Sequence, residues 1–202
     1  FEVYNPTRDA ERLRHALQEA GTGRVEGRET ITLSGLEVRP YPHQVQILED
    51  LEVERTVQNR HRNLIVAATG TGKTVVAALD YKRLCADAKR PLKLLFVAHR
   101  QEILAQARAK YREVLSDANF GELWAVGQRP VQWQQVFASV QSLNVSDIAN
   151  FAPGAFEVIV IDEFHHAAAP SYRKLLTHFQ PGELLGLTAT PERTDGFDVQ
   201  DF

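Results

Sequence analysis

The chain predicts an α/β fold, a mostly parallel β-sheet with helices on both faces, and three observations carry that prediction. Two runs, Leu94-Leu95-Phe96-Val97 and Val158-Ile159-Val160-Ile161, are continuously apolar, as strands buried on both faces must be. From residue 37 onward, short apolar runs alternate with longer stretches of helical periodicity, the rhythm of strand–helix–strand units. A third run, Leu64-Ile65-Val66, passes directly into Ala67-Ala-Thr-Gly-Thr-Gly-Lys-Thr74, a glycine-rich turn of the kind that joins a strand to a helix in such folds.

The elements follow in order. Thr7 can cap a helix over residues 7–20, with Ala10, Leu13, Leu17 and Ala20 on one apolar face and Gly21 ending it. Residues 21–27 read as a polar, Gly-rich linker and 30–33 as a short strand. Residues 1–36 are expected to be an extension or linker from a preceding domain, and 37–202 a single domain. Within it, helices are expected over 44–59, 73–88, 100–115 and 171–178. Strands are expected over 63–68, 93–98, 123–126, 136–139, 158–162 and 184–188. No repeat or low-complexity tract interrupts this series.

Bulk composition narrows the function classes. The chain has 202 residues, 44% hydrophobic and 24% charged, enough for one α/β domain with a sizeable core and an extension. A net charge of −3 does not announce a nucleic-acid binder, so any such site must be local. Cys85 is the only cysteine, which excludes an internal disulfide and a cysteine-based metal site; as a residue at a helix end it reads as a small core filler, and a reducing cytoplasm fits. No apolar run reaches membrane-spanning length. The chain starts at Phe1 and contains no Met, which reads as a piece of a longer protein.

Two segments carry chemistry. In the first, a strand emptying into Thr69-Gly70-Thr71-Gly72-Lys73-Thr74 forms a phosphate cradle: backbone N–H groups of the turn and of the next helix point at phosphate oxygens. Lys73 can reach the β- and γ-phosphates of ATP and the Thr74 hydroxyl can ligate Mg²⁺. Gly70 and Gly72 suit places where a Cβ would obstruct the turn or the ligand; the general pattern begins with Gly where this chain has Ala67. The second segment is the strand ending in Asp162-Glu163. Asp162 would hold the Mg²⁺ and Glu163 would take a proton from the water attacking the γ-phosphate. His165 and His166 follow; His165 reads as a polar link between this site and its surroundings, and His166 either shares that role or simply packs the following helix.

In order along the chain, this set resembles the superfamily 2 helicases, in particular the branch containing type III restriction-enzyme motor subunits and DEAD/DEAH-box proteins. Arg39-Pro-Tyr41-Pro-His-Gln44 is similar to the Q motif, Ala67 to Thr74 to motif I, and Phe96 to Leu104 to motif Ia. Ala138 to Leu143 is similar to the motif preceding the acidic strand, Asp162-Glu163-Phe-His165 to motif II, and Gly186 to Gly196, with Thr188-Ala-Thr190, to motif III. Together these cover residues 37–198. The Asp-Glu-Phe-His-His form and the Thr-Pro-Glu-Arg-Thr-Asp-Gly tail look most like bacterial helicases with an upstream phospholipase-D-like nuclease domain.

The resemblance implies a RecA-like P-loop NTPase lobe with ATP and Mg²⁺ as cofactors. It implies that Gln44 reads the adenine edge, although Pro42 and His43 separate it from Tyr41 where the family has none, and that Arg39 stacks on the base or faces solvent. It implies that Thr188 and Thr190 couple hydrolysis to movement of a second lobe, and that His99, Arg100, Gln141 and Ser142 grip a nucleic-acid backbone, DNA more than RNA. The chain ends before the motifs of the second RecA-like lobe and its arginine finger, so alone it is expected to bind ATP weakly and turn it over slowly. Arg108 and Arg112 share a helix face that is either solvated or a phosphate track. Trp124 and Trp133 read as a core residue and a loop aromatic, with base stacking as the alternative. Besides a helicase, a double-strand translocase driving a nuclease and a nucleotide-gated interaction module remain readings; a small-molecule kinase would need a lid and an acceptor site that are not evident.

Overall fold

The structure, a computed structural model, describes residues 38–143, 148–164 and 170–189. The helix expected over 7–20, the strand over 30–33, and the candidate residues His165, His166 and Thr190 lie outside them. The described residues all fall within one compact unit, 32–202.

The elements run α1 (Pro42–Thr56), β1 (Arg62–Val66), α2 (Lys73–Ala88), β2 (Leu94–Ala98), α3 (Gln101–Leu115), β3 (Glu122–Trp124), β4 (Gln135–Ser139), β5 (Val158–Ile161), α4 (Pro170–His178) and β6 (Glu183–Thr188). The six strands form one sheet in the order β1-β6-β5-β2-β4-β3, and every pairing is parallel. This is the RecA-like arrangement the sequence led us to expect. All carboxyl ends therefore lie along one edge of the sheet, which is where ligands bind in open α/β folds.

The alternation within single strands sorts the core. Leu94, Phe96 and Ala98 of β2 join a cluster with α1, α2 and α3. Leu95 and Val97, their neighbours in sequence, join a second cluster with Tyr172, Leu175 and Leu176 of α4. Successive side chains of a strand leave on opposite faces, so a run with no polar residue demands cover on both sides and receives it. Full burial of one such Leu or Phe contributes about 1.5–3 kcal/mol relative to exposure.

Local boundaries differ from the sequence expectations by one to three residues, and several of the differences have identifiable causes. α1 begins at Pro42, not Gln44, because proline's fixed φ and missing N–H suit the first helical position. The Tyr41 N–H, one of the donors left over at the helix start, is taken by Gln44 Oε1 at 3.0 Å. The strand expected to reach Val126 stops at Trp124: Ala125 and Gln128 exchange backbone hydrogen bonds at 3.1 and 2.9 Å around a tight turn in which Gly127 has φ +78°. Cys85 is only half-buried, at the margin of the first cluster, and its Sγ accepts the Leu92 N–H at 3.4 Å. No helix among the described residues is long and apolar enough to cross a membrane.

Candidate nucleotide site and nucleic-acid face

The glycine-rich turn is built as its sequence demands. β1 ends at Val66, and Ala67 N–H donates to Thr188 O on β6 at 3.1 Å, which fixes the entry to the turn. Gly70 and Gly72 take φ of +85° and +82°, in the left-handed region that costs glycine nothing. Gly72 is also the N-cap of α2, and a Cβ there would fall 2.5 Å from Gln44 Nε2. The first N–H groups of α2 have no intrahelical acceptor and face the turn, the arrangement that suits an anion. Lys73 lies across the loop, its Nζ donating to Ala67 O at 2.7 Å and Ala68 O at 3.1 Å.

Beside this turn stands the acidic one. Asp162 follows the last residue of β5, and its N–H donates to Val97 O of β2 at 2.9 Å. Glu163 N–H donates to Asp162 Oδ1 at 2.9 Å, and Glu163 has φ +53°, a conformation rare for a residue with a Cβ. Behind the acids, burial pushes the Tyr172 phenol well above its usual range, with the charges of Glu163 and Asp162 adding to the effect.

The two turns open on one cleft of about 530 Å³. Thr69, Gly70, Gly72, Lys73 and Thr74 form one wall; Asp162 and Glu163 form another, with Thr188 at its floor, 3% exposed. Ligands with hard oxygen atoms, the Thr74 hydroxyl and the Asp162 carboxylate, suit Mg²⁺, and no group of three His, Cys, Asp or Glu able to hold a metal occurs among the described residues.

Two candidates stand elsewhere. Arg39 is exposed ahead of α1. Gln44 is 4% exposed, and its amide joins two backbone groups, accepting from Tyr41 N–H and donating to Thr71 O at 3.1 Å. His43 Nε2 lies 3.2 Å from the same Thr71 oxygen. Gln44, His43 and Thr71 thus strap α1 to the phosphate loop.

The nucleic-acid candidates come together at the neighbouring strand ends. β2 and β4 are adjacent, Ala98 opposite Ser139, so His99 and Arg100 after the first meet Gln141 and Ser142 after the second. Gln141 Nε2 lies 3.3 Å from His99 Nδ1, and Ser142 is tied back to Ser139, Oγ to Oγ at 2.8 Å. A second cleft, about 420 Å³, contains His99, Arg100 and Gln141 together with Val126. Sequence reasoning missed Val126: it is 79% exposed, and only the Ala125–Gln128 turn puts it here. The last peptides of β2 join the two clefts, since Val97 O receives Asp162 N–H and Ala98 O receives Val140 N–H at 3.1 Å.

The cationic helix face resolves as structural at one position. Arg112 Nε donates to Phe120 O at 2.8 Å, tying α3 to the loop beyond it. Burial, then the charge of Arg112, lowers the pKa of half-buried Arg108. Trp124 is buried, and Trp133 packs edge-on against it at 4.9 Å and against Phe151 at 4.9 Å, with the Arg129 guanidinium 5.6 Å from its centroid. Those ring contacts make Trp133 a loop anchor.

Residues 37–193 match the family model described as type III restriction enzyme, res subunit. The chain is 32% identical over 149 residues to irc3 of Schizosaccharomyces pombe, named as a mitochondrial ATP-dependent helicase, covering 69% of this chain and 24% of that protein. It is 28% identical over 173 residues to the type I restriction enzyme EcoAI endonuclease subunit of Escherichia coli, covering 81% and 21%. Among solved structures, the ATP-dependent type ISP restriction-modification enzyme LlaBIII bound to DNA superposes with a TM-score of 0.60 at 19% identity, over 77% of this chain and 13% of that one. The chain therefore spans less than a quarter of the length of these relatives. With the glycine-rich and acidic turns facing each other across one cleft and the match running from the Q-motif segment through motif III, the chain belongs to the family of type III restriction enzyme res subunits.

Proposed function

We propose that this chain is the first motor lobe of a nucleic-acid-dependent ATPase, a helicase or translocase of superfamily 2, acting on DNA rather than RNA. The observation that carries this reading is the pairing of Lys73 with Asp162 and Glu163 across one cleft, joined through the end of β2 to the cleft of His99, Arg100 and Gln141. In it, the phosphate loop holds the ATP phosphates, Thr74 and Asp162 hold Mg²⁺, and Glu163 receives the proton of the attacking water. His165 belongs with these acids. Gln44 and Arg39 serve the adenine end: one Gln44 amide N–H and its second oxygen lone pair remain for the base edge. Thr188 and Thr190 transmit the state of the cleft to a second RecA-like lobe, which supplies the arginine finger, and an upstream nuclease domain of the phospholipase-D-like kind accompanies them. Contacts from His99, Arg100, Gln141 and Ser142 go to the backbone and carry little base information. DNA is favoured because the matched relatives include restriction enzymes, one in a DNA-bound structure. The cell compartment we propose is the cytoplasm.

The test is ATP turnover of the full-length protein without nucleic acid and with single-stranded DNA, double-stranded DNA or RNA. Stimulation by DNA supports the reading; stimulation by RNA alone reverses the choice of track; none by any of them leaves the nucleotide-gated interaction module. Glu163→Gln in the same protein should keep ATP binding and lower turnover about 10²–10⁴-fold. Normal turnover in that variant would remove Glu163 as the base.

A further inference from the structure

We propose that Gln106 and Lys110 of α3 form a subsite for the terminal phosphate of the bound nucleoside triphosphate, an assignment that rests on the nucleotide reading above. The cleft is lopsided. Among the described residues its walls include Gln106, Ala107 and Lys110 of α3 but none of α1, even though α1 is strapped to the phosphate loop through Gln44 and Thr71. The open volume thus reaches α3 as well as the phosphate loop and the acidic turn, and in the nucleotide reading the terminal phosphate lies at the acidic turn, by Glu163.

α3 is held rigidly on that side. Ala107 and Leu104 are buried in the cluster shared with α2, which fixes the rotation of the helix. Gln106 and Lys110 are one turn apart, so they leave the same face, and both are exposed. Their chemistry fits an added phosphate. Asp162 and Glu163 repel a phosphate dianion, and Lys73 is the one cation the phosphate loop contributes; Lys110 supplies a second. Its Nζ now donates to Glu113 Oε2 at 2.8 Å, both side chains about half exposed, a pair of the kind that contributes little and can be exchanged for phosphate oxygens. The Gln106 amide makes no hydrogen bond among the described residues, so its N–H groups are available as neutral donors beside the charge.

The subsite predicts selectivity between triphosphate and diphosphate. Titration of the chain with fluorescent AMP-PNP and ADP, each with Mg²⁺, measures it without requiring turnover. Lys110→Met and Gln106→Leu should each weaken AMP-PNP about tenfold and leave ADP within about twofold, Lys110→Arg should restore most of the lost affinity, and thermal melting should be unchanged. Equal weakening of both nucleotides, or no change in either, would overturn the subsite while leaving the nucleotide reading intact. Failure of the unaltered chain to bind either nucleotide would overturn that reading, and the subsite with it.

Discussion

The two ends of the sheet hold their charges in opposite ways. At the amino end, charge meets charge. Arg55 of α1 donates to both oxygens of Asp80 on α2 at 2.6 and 2.8 Å and to Glu183 of β6 at 2.7 Å. His61 Nδ1 lies 2.6 Å from the other Glu183 oxygen. Burial alone would lower the Arg55 pKa, but the Asp80 and Glu183 carboxylates outweigh it and hold it above its ordinary value. At the carboxyl end, charge meets main chain: Lys73 donates to two loop carbonyls and Asp162 Oδ1 accepts the Glu163 N–H. Charges that satisfy one another fasten elements together and leave nothing for a ligand. Charges held by neutral dipoles keep most of their field, which a phosphate or a metal ion can then use.

The sharpest break in this comparison comes from Arg55→Ala. It strands the buried Asp80 carboxylate and should cost about 3–5 kcal/mol by urea denaturation. Nucleotide affinity, measured where the variant remains folded, should not change. Lys73→Ala should do the reverse: a loss of nucleotide affinity of about 100-fold or more, since charge-assisted bonds to phosphate disappear, with stability altered by less than about 1 kcal/mol. If Lys73→Ala unfolded the chain, the distinction between the two ends would fail.

Smaller effects sharpen it. The Tyr111 hydroxyl is buried without a hydrogen-bond partner among the described residues, and burial, then the nearby Asp80 charge, holds its pKa well above the usual tyrosine range. Tyr111→Phe should raise stability by up to about 1 kcal/mol, because an unsatisfied buried hydroxyl costs free energy that a ring edge does not; a loss would mean the hydroxyl has a partner in solution. The smallest effect belongs to Glu157. A hydrogen bond from the Arg90 guanidinium, with Arg90 Nη1 2.9 Å from Glu157 Oε2, draws its pKa down to about 2. A depressed carboxylate stabilises the fold above its unfolded pKa, near 4.5, and that contribution vanishes as pH falls towards 2. The stability difference between the natural chain and Glu157→Gln should therefore be constant above about pH 5 and close to zero at pH 2.

Much of this was legible beforehand where the cause was local. The glycine-rich turn announces itself because only Gly70 and Gly72 accept their φ values cheaply, and β2 and β5 because unbroken apolar runs have no other home than a doubly covered sheet. Gln44 shows the limit. Its place in a nucleotide-related motif was readable, but its burial as a strap to Thr71 depends on where α1 lands against the phosphate loop, 27 residues away. Lys110 is the same lesson in reverse: nothing along α3 singles it out, yet in the fold it stands on the cleft of the two turns.

By itself, then, the sequence determined the strands, the helices and the two turns that carry the chemistry, since periodicity, glycine and proline act over a few residues. Only the tertiary structure decided which strand ends are neighbours. The order β1-β6-β5-β2-β4-β3 brings the acidic turn beside the glycine-rich one, sets Gln141 against His99, closes Arg55 and His61 on Glu183 across more than 120 positions, and turns α3 into a wall of the cleft. Strand pairing is a long-range choice, set by how several buried surfaces are covered at once, and no single segment contains it.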